Sequence, residues 1–230
     1  MNNLFPNLTV AALIVACRAS AQGTFQNLDF ESAAPPFAVL DPTYGYVAAS
    51  NALPNWTPYI GTNGTAVLHN NSFLGTPAVG LLGPGWTNYP PVIEGSYSAL
   101  LQAGAYPTAG PASAAIAQTG VVPLDAKSVR FAAQVFLGGE LDLLRLYVGG
   151  QSISLLPLLT NGSYTVYGGD VSPFAGQIEE LRIAALPGDL ANGNFVIDSI
   201  QFSPTDVPEP GTLVVCSLGA LLLLRRLRHR

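Results

Sequence analysis

Ser128–Leu137 reads SVRFAAQVFL. Val129, Phe131, Ala133, Val135 and Leu137 fall on one side of an extended chain, with Arg130 and Gln134 on the other. A period of two is that of a β-strand with one buried face. The pattern repeats further along the chain. In Leu141–Val148, residues Leu144, Leu146 and Val148 oppose Leu143, Arg145 and Tyr147. In Ile178–Leu186, residues Leu181, Ile183 and Ala185 oppose Glu180 and Arg182. Between them, Ile153–Leu159 and Tyr164–Tyr167 flank Thr160-Asn161-Gly162-Ser163, a hairpin whose Asn-Gly pair supplies positive φ.

Further strands are expected at Thr24–Glu31, Thr65–His69, Ser96–Gln102, Ala114–Thr119 and Phe195–Ser203. Glycine and proline punctuate the short apolar runs, and no helical period survives between these breakers. From Ala33 to Pro91 the composition is loose, and long loops around a strand near Trp56 are expected. About ten short strands give an all-β domain, an antiparallel β-sandwich of jelly-roll type. Its boundaries are set at residues 22–206, a length suited to one domain with its own core.

Both chain ends differ from that domain. Leu8–Ala16 is a short apolar run followed by Ala19-Ser20-Ala21, whose small Ala19 and Ala21 suit signal peptidase cleavage before Gln22. Residues 1–21 are therefore read as a signal peptide; Ile14-Val15-Ala16-Cys17 offers a second reading as a lipoprotein box with Cys17 lipidated. Either implies export. The two cysteines, Cys17 and Cys216, are both terminal, so residues 22–206 hold no disulfide and no cysteine metal site. Of nine basic residues, only Lys127, Arg130, Arg145 and Arg182 lie between Gln22 and Pro210, against all 14 acidic ones. Such a surface repels phosphate backbones and excludes nucleic acid as a partner.

The C-terminus orders three parts: Val207-Pro208-Glu209-Pro210, the apolar run Thr212–Leu224, and a basic end with Arg225 and Arg226. As a helix the run covers about 20 Å, short of the ~30 Å hydrocarbon core, so it suits a transient span better than a permanent anchor. Flanking arginines favour retention on the cytoplasmic side. This arrangement, residues 207–230, resembles a PEP-CTERM sorting signal. The resemblance implies recognition and cleavage by an exosortase in a Gram-negative bacterium that makes exopolysaccharide, with the protein sorted to the cell envelope, outer surface or extracellular matrix. An uncleaved tail anchor is the alternative.

The domain also resembles galactose-binding-like and carbohydrate-binding jelly rolls, through Asn27-Leu28-Asp29-Phe30-Glu31 near the start and Ile197-Asp198-Ser199-Ile200 near the end. That resemblance implies a sugar-binding role by fold analogy alone. It also implies a structural calcium joining the first and last strands, with Glu31 and Asp198 at the matching positions and Asp29 a further ligand; Ser199 stands where a second acid is common. From the residues themselves, Asp198 alternates with Val196, Ile200 and Phe202, so a core-facing carboxylate would need a cation or donors. Pairing with Arg130 or Arg182 is the other solution.

Catalysis finds little support in the sequence. His69 is the sole histidine of the domain, and no Gly-x-Ser-x-Gly elbow presents a nucleophile. A carboxylate pair for glycoside hydrolysis would come from Glu94, Glu140, Glu179 and Glu180, whose separations the sequence does not fix. The expectation is a protein that is not an enzyme. For ligand contact, Trp56, Tyr59, Trp86 and Tyr89 lie in or near the loop-rich stretch and form the candidate aromatic platform for a sugar, with Trp56 filling the core as the competing reading.

Overall fold

The structure, a computed structural model, describes residues 24–73, 75–136, 140–189 and 192–207. The expectations at Cys17, Ala19, Ala21 and Gln22, and those from Pro208 through Arg225 and Arg226, lie outside the described residues. Val207 is the last described.

Two sheets stack on one another. The larger has nine strands, in spatial order β1 (Val39–Asp41), β2 (Tyr46–Val47), β5 (Val67–His69), β6 (Ala78–Leu82), β7 (Ser98–Gln102), β17 (Asn194–Ser203), β11 (Ser128–Val135), β15 (Tyr164–Asp170) and β14 (Leu156–Asn161). The smaller has six: β13 (Gln151–Ile153), β12 (Leu144–Val148), β16 (Ile178–Ala185), β10 (Ala114–Val121), β3 (Thr57–Ile60) and β4 (Asn63–Gly64). A two-stranded ribbon, β8 (Gly104–Tyr106) with β9 (Gly110–Ala112), stands apart. Neighbours are antiparallel except β5 and β6, which run parallel. This is the all-β, jelly-roll-like sandwich expected. Among the described residues no helix is long and apolar enough to cross a membrane.

The alternating strands bury the faces their sequences imply. Val129, Phe131 and Ala133 of β11, Phe195 and Ile197 of β17, and Ala99 and Leu101 of β7 meet Ile116 of β10, Leu181, Ile183 and Ala185 of β16, and Leu144, Leu146 and Val148 of β12. A second apolar cluster lies on the outer face of the nine-stranded sheet. There Leu82, Leu100, Phe136 and Val196 are roofed by Trp86, Val92 and Ile93 from the loop between β6 and β7.

Several expectations are corrected. Thr24–Glu31 is no strand: Asn27 (φ 51°) and Phe30 (φ 60°) adopt left-handed backbone, which interrupts a pleat, and only Thr24 bridges to Val121. The left-handed turn drives Phe30 fully into the core, with its ring 5.9 Å from that of Trp56. Ala33–Pro91 is more ordered than its composition suggests, holding β1 to β6 and the four-residue helix α1 (Ala49–Ala52). In the β14–β15 hairpin, Asn161 is still paired with Tyr164, so the two-residue turn is Gly162-Ser163, with Gly162 at φ 59°.

The largest correction concerns β17. Its pairing with β11 slips between Arg130 and Ala132, so that Ala132 faces Asp198 while Arg130 faces Gln201. Ser199, at φ 50°, is the left-handed residue beside this β-bulge. Val196 and Asp198 therefore point to the outer face, whereas Ile200 and Phe202 return to the main core. Asp198 does not share the face of Ile200 and Phe202 that simple alternation assigns it.

Candidate functional site

The outer face of the six-stranded sheet is built in rows. Thr57, Ala117, Arg182 and Tyr147 stand abreast across β3, β10, β16 and β12; the next row is Tyr59, Ala115, Ala184 and Arg145. Three alanines in the middle make a low floor between longer side chains. Across it leans Arg182, its guanidinium carbon 4.5 Å from the Tyr59 ring centroid. Such a cation–π contact is worth roughly 0.5–1 kcal/mol when solvated. Glu180 Oε1 stands 3.9 Å from Arg182 Nη1, a loose ion pair between side chains 43% and 26% exposed. Arg145 instead donates through Nη1 to the carbonyls of Asp142 and Leu144.

Beside Tyr59 this face opens into a cavity of about 270 Å³. One wall is Thr24 and Gln26 of the N-terminal segment; Asn55, Thr57 and Tyr59 form another, and Ala117, Gln118, Thr119 and Glu180 come from β10 and β16. The first wall is fixed by a reciprocal clasp. Gln26 N–H donates to Gln118 Oε1 at 2.6 Å, and Gln118 Nε2 donates back to Gln26 O at 2.9 Å. Hydroxyls, carboxamides, one carboxylate and one aromatic ring thus surround a small space, and none of the lining residues is basic. That is the chemistry of hydroxyl recognition, in which each partner donates and accepts.

The expected aromatic platform does not assemble as one surface. Trp56 is 4% exposed and its Nε1 donates to Asn27 O, so it belongs to the core and cannot meet a ligand. Trp86 packs on the second cluster and donates through Nε1 to Pro90 O. Tyr89 is exposed, its hydroxyl accepting from Gln134 Nε2 on the nine-stranded sheet. Tyr59 alone of the four lines the cavity. Its partner Arg182 was expected instead as an alternative partner of Asp198, and the walls Thr57, Gln26 and Thr119 carry no motif that marks them. A signal was there: Ala115, Ala117 and Ala184 are small residues on the outward face of strands, where a surface is normally polar or bulky.

The acidic residues Glu31, Glu94 and Asp198 gather at the far face instead. Asp198 is 1% exposed. Its Oδ2 accepts from Ser98 Oγ (2.6 Å) and Glu94 N (3.2 Å), and its Oδ1 accepts from Ser199 N (2.6 Å). Burial pushes its carboxyl up to about 6, against those hydrogen bonds and with the nearby Glu94 carboxylate adding to the rise. Glu31 Oε1 accepts from Ser96 N and Tyr97 N, and Asp29 Oδ1 accepts from Glu31 N. Glu94 accepts from the Tyr164 hydroxyl and Ser199 Oγ. Protein donors, rather than Arg130 or Arg182, thus serve the Asp198 carboxylate. Among the described residues no group of three or more His, Cys, Asp or Glu side chains could hold a metal ion. As arranged, each of these carboxylates is met by N–H or O–H donors of the protein.

His69 ends β5 half-buried, its ring centroid 4.6 Å from that of Phe37, and burial lowers its pKa. Glu140 is exposed beside a one-turn 3-10 segment, and Glu179 lies on the opposite side of β16 from Glu180.

The fold thus defines a jelly-roll-like β-sandwich with a polar cavity beside Tyr59 on its smaller sheet. No protein-family model matches the chain, and no curated protein matches it in sequence. Among solved structures it is similar to the enzymatically active domain of bacteriophage CBA120 tailspike protein 4, at 16% identity and TM-score 0.36, over 71% of this chain and 22% of that one. The chain therefore spans about a fifth of that tailspike structure. It is also similar to the family 11 carbohydrate-binding module of Clostridium thermocellum in complex with a β-1,3-1,4-mixed-linked tetrasaccharide, at 10% identity and TM-score 0.35, over 68% of this chain and 92% of the module. The family 11 module of the cellulase Lic26A-Cel5E from the same organism gives 10% identity and TM-score 0.35, over 67% and 91%. Likenesses at these TM-scores are loose, and what the site can do is read from its own residues.

Proposed function

We propose that this chain is an exported, non-enzymatic protein of the cell envelope or extracellular matrix, whose sandwich holds a polysaccharide chain at the cavity beside Tyr59. Export rests on Ala19-Ser20-Ala21, where signal peptidase would cut before Gln22. Sorting rests on the order of Val207-Pro208-Glu209-Pro210, the apolar run and Arg225-Arg226, the substrate features of an exosortase. The observation that carries the binding reading is the cavity itself: hydroxyl, amide and carboxylate groups around an aromatic wall on an open sheet face. Its volume suits one sugar unit of a chain better than a drug-sized ligand, for which pockets run to roughly 300–1,000 Å³. Glu180 is the one carboxylate of that lining, whereas glycoside hydrolysis by the usual route needs two.

Affinity electrophoresis through gels containing a panel of polysaccharides tests the binding. Tyr59→Ala is expected to weaken retardation about tenfold, the order of an aromatic contact plus the Arg182 support it gives. Trp86→Ala, on the other sheet, is expected to leave it unchanged; the reverse pattern would move the site to the loop aromatics. The sorting part is tested by the intact mass of protein from the native host. A C-terminus near Pro208–Gly211 supports processing, and a tail intact to Arg230 in membranes overturns it.

A further inference from the structure

We infer that the polymer held at this cavity is uncharged, a neutral glycan rather than one bearing uronate, sulfate or phosphate groups. The inference rests on the sugar-binding reading above. An anionic sugar needs a cation facing it, and none of the four domain cations lines the cavity. Lys127 pairs with Asp206 at 3.0 Å. Arg130 donates through Nη2 to Thr205 Oγ1 and through Nε to Ser128 Oγ. Both belong to the nine-stranded sheet and to the exit linker after β17, residues 204–207, away from the cavity. Arg145 is bound to the carbonyls of Asp142 and Leu144. Arg182, the nearest, lays its guanidinium on Tyr59 and is met by Glu180.

The sign of the local charge completes the case. Glu180 lines the cavity itself, and no basic side chain does. A carboxylate or sulfate entering there meets the Glu180 carboxylate and finds no basic side chain in the lining to hold it. The excess of acidic over basic residues across the domain adds a repelling field at longer range. Neutral hydroxyls face the opposite situation. Thr57, Thr119, Asn55 and Gln26 offer donors and acceptors together, and the Glu180 carboxylate is a strong acceptor for a hydroxyl proton.

The test is affinity electrophoresis of the full processed chain in gels of neutral polymers (hydroxyethylcellulose, mixed-linkage glucan, galactomannan, dextran) and acidic ones (polygalacturonate, alginate, hyaluronate), at about 20 mM and about 300 mM salt. The expected result is retardation by a neutral polymer, altered less than about twofold by salt, with none by the acidic set at either salt. Glu180→Gln is expected to weaken the neutral interaction several-fold. Retardation by an acidic polymer that Tyr59→Ala abolishes would overturn the inference and leave the sugar-binding reading standing. No retardation by any polymer would remove the sugar-binding reading itself.

Discussion

Burial holds the Asp198 carboxyl at about 6, above its ordinary 3.8, even though Ser98 and the Glu94 and Ser199 N–H groups pull it down. A carboxyl whose folded pKa is raised binds its proton more tightly in the folded chain. Its contribution to stability is therefore complete below about pH 4 and is lost as pH rises through 6. Between pH 7.5 and pH 5, wild type should gain about 1 kcal/mol over Asp198→Asn, read from urea unfolding at the two pH values. An unchanged gap would mean that the folded group titrates as in water. Gly104 shows steric constraint in the same plain form. A Cβ there would stand 2.5 Å from Gly75 O and 2.8 Å from Pro77 N, backbone atoms that cannot swing aside. Gly104→Ala should cost about 1–3 kcal/mol, while Gly64→Ala, with open space around its Cβ, should not lower Tm.

Strands β11, β12 and β16 were legible because a period of two is written entirely in neighbouring residues. What the sequence concealed lies where backbone geometry departs from that period. Nothing in Asn194–Ser203 marks Ser199 as the left-handed residue of a bulge, yet that residue decides whether Ile200 and Phe202 face the core. Asn27 and Phe30 likewise hide turns inside a stretch of strand-like composition. Inserting one further residue after Ser199 should carry Ile200 and Phe202 to the wrong face, and the expected outcome is loss of the folded domain, seen as loss of the cooperative thermal transition. A normal transition would show that the sheet can slip to compensate. The site was legible only in part for a related reason. Tyr59 was named from its aromaticity, but Arg182 reaches it across β10, a neighbour created by topology and not by spacing. Asp198 stood out in the sequence as a carboxylate needing a cation or donors; that its donors are Ser98, Glu94 and Ser199 depends on the bulge and the roof loop.

The two outer faces of the sandwich are treated differently. The loop between β6 and β7 roofs one half of the nine-stranded face through Trp86, Val92 and Ile93. The exit linker occupies another part of it. Thr205 accepts from Ser128 Oγ and Arg130, Asp206 pairs with Lys127, and Val207 lies against Gly168. Among the described residues, the bonds across the centre of the six-stranded face join only the sheet's own side chains, Arg182 with Tyr59 and Glu180. This contrast leaves the cavity face as the open one. Residues 22–207 should fold as one cooperative unit. Ending the chain at Ser203 should cost about 1–3 kcal/mol, because Ser128 and Arg130 lose their partners. Lys127→Ala alone should cost under about 1 kcal/mol, its ion pair being exposed. Equal losses in the two variants, measured by thermal unfolding, would show that the ion pair and not the Thr205 bonds holds the linker.

Strand β17 runs between β7 and β11, antiparallel to both, and the chain beyond Val207 continues from its C-terminal end. Tension applied through that tail acts along the axis of a ten-residue strand. The ladders on either side are then sheared, and their hydrogen bonds share the load instead of parting one after another. The Thr205–Asp206 clip takes up force before the ladders do. A domain pulled at this point would resist through both ladders at once, with the smaller sheet outside the path of the load.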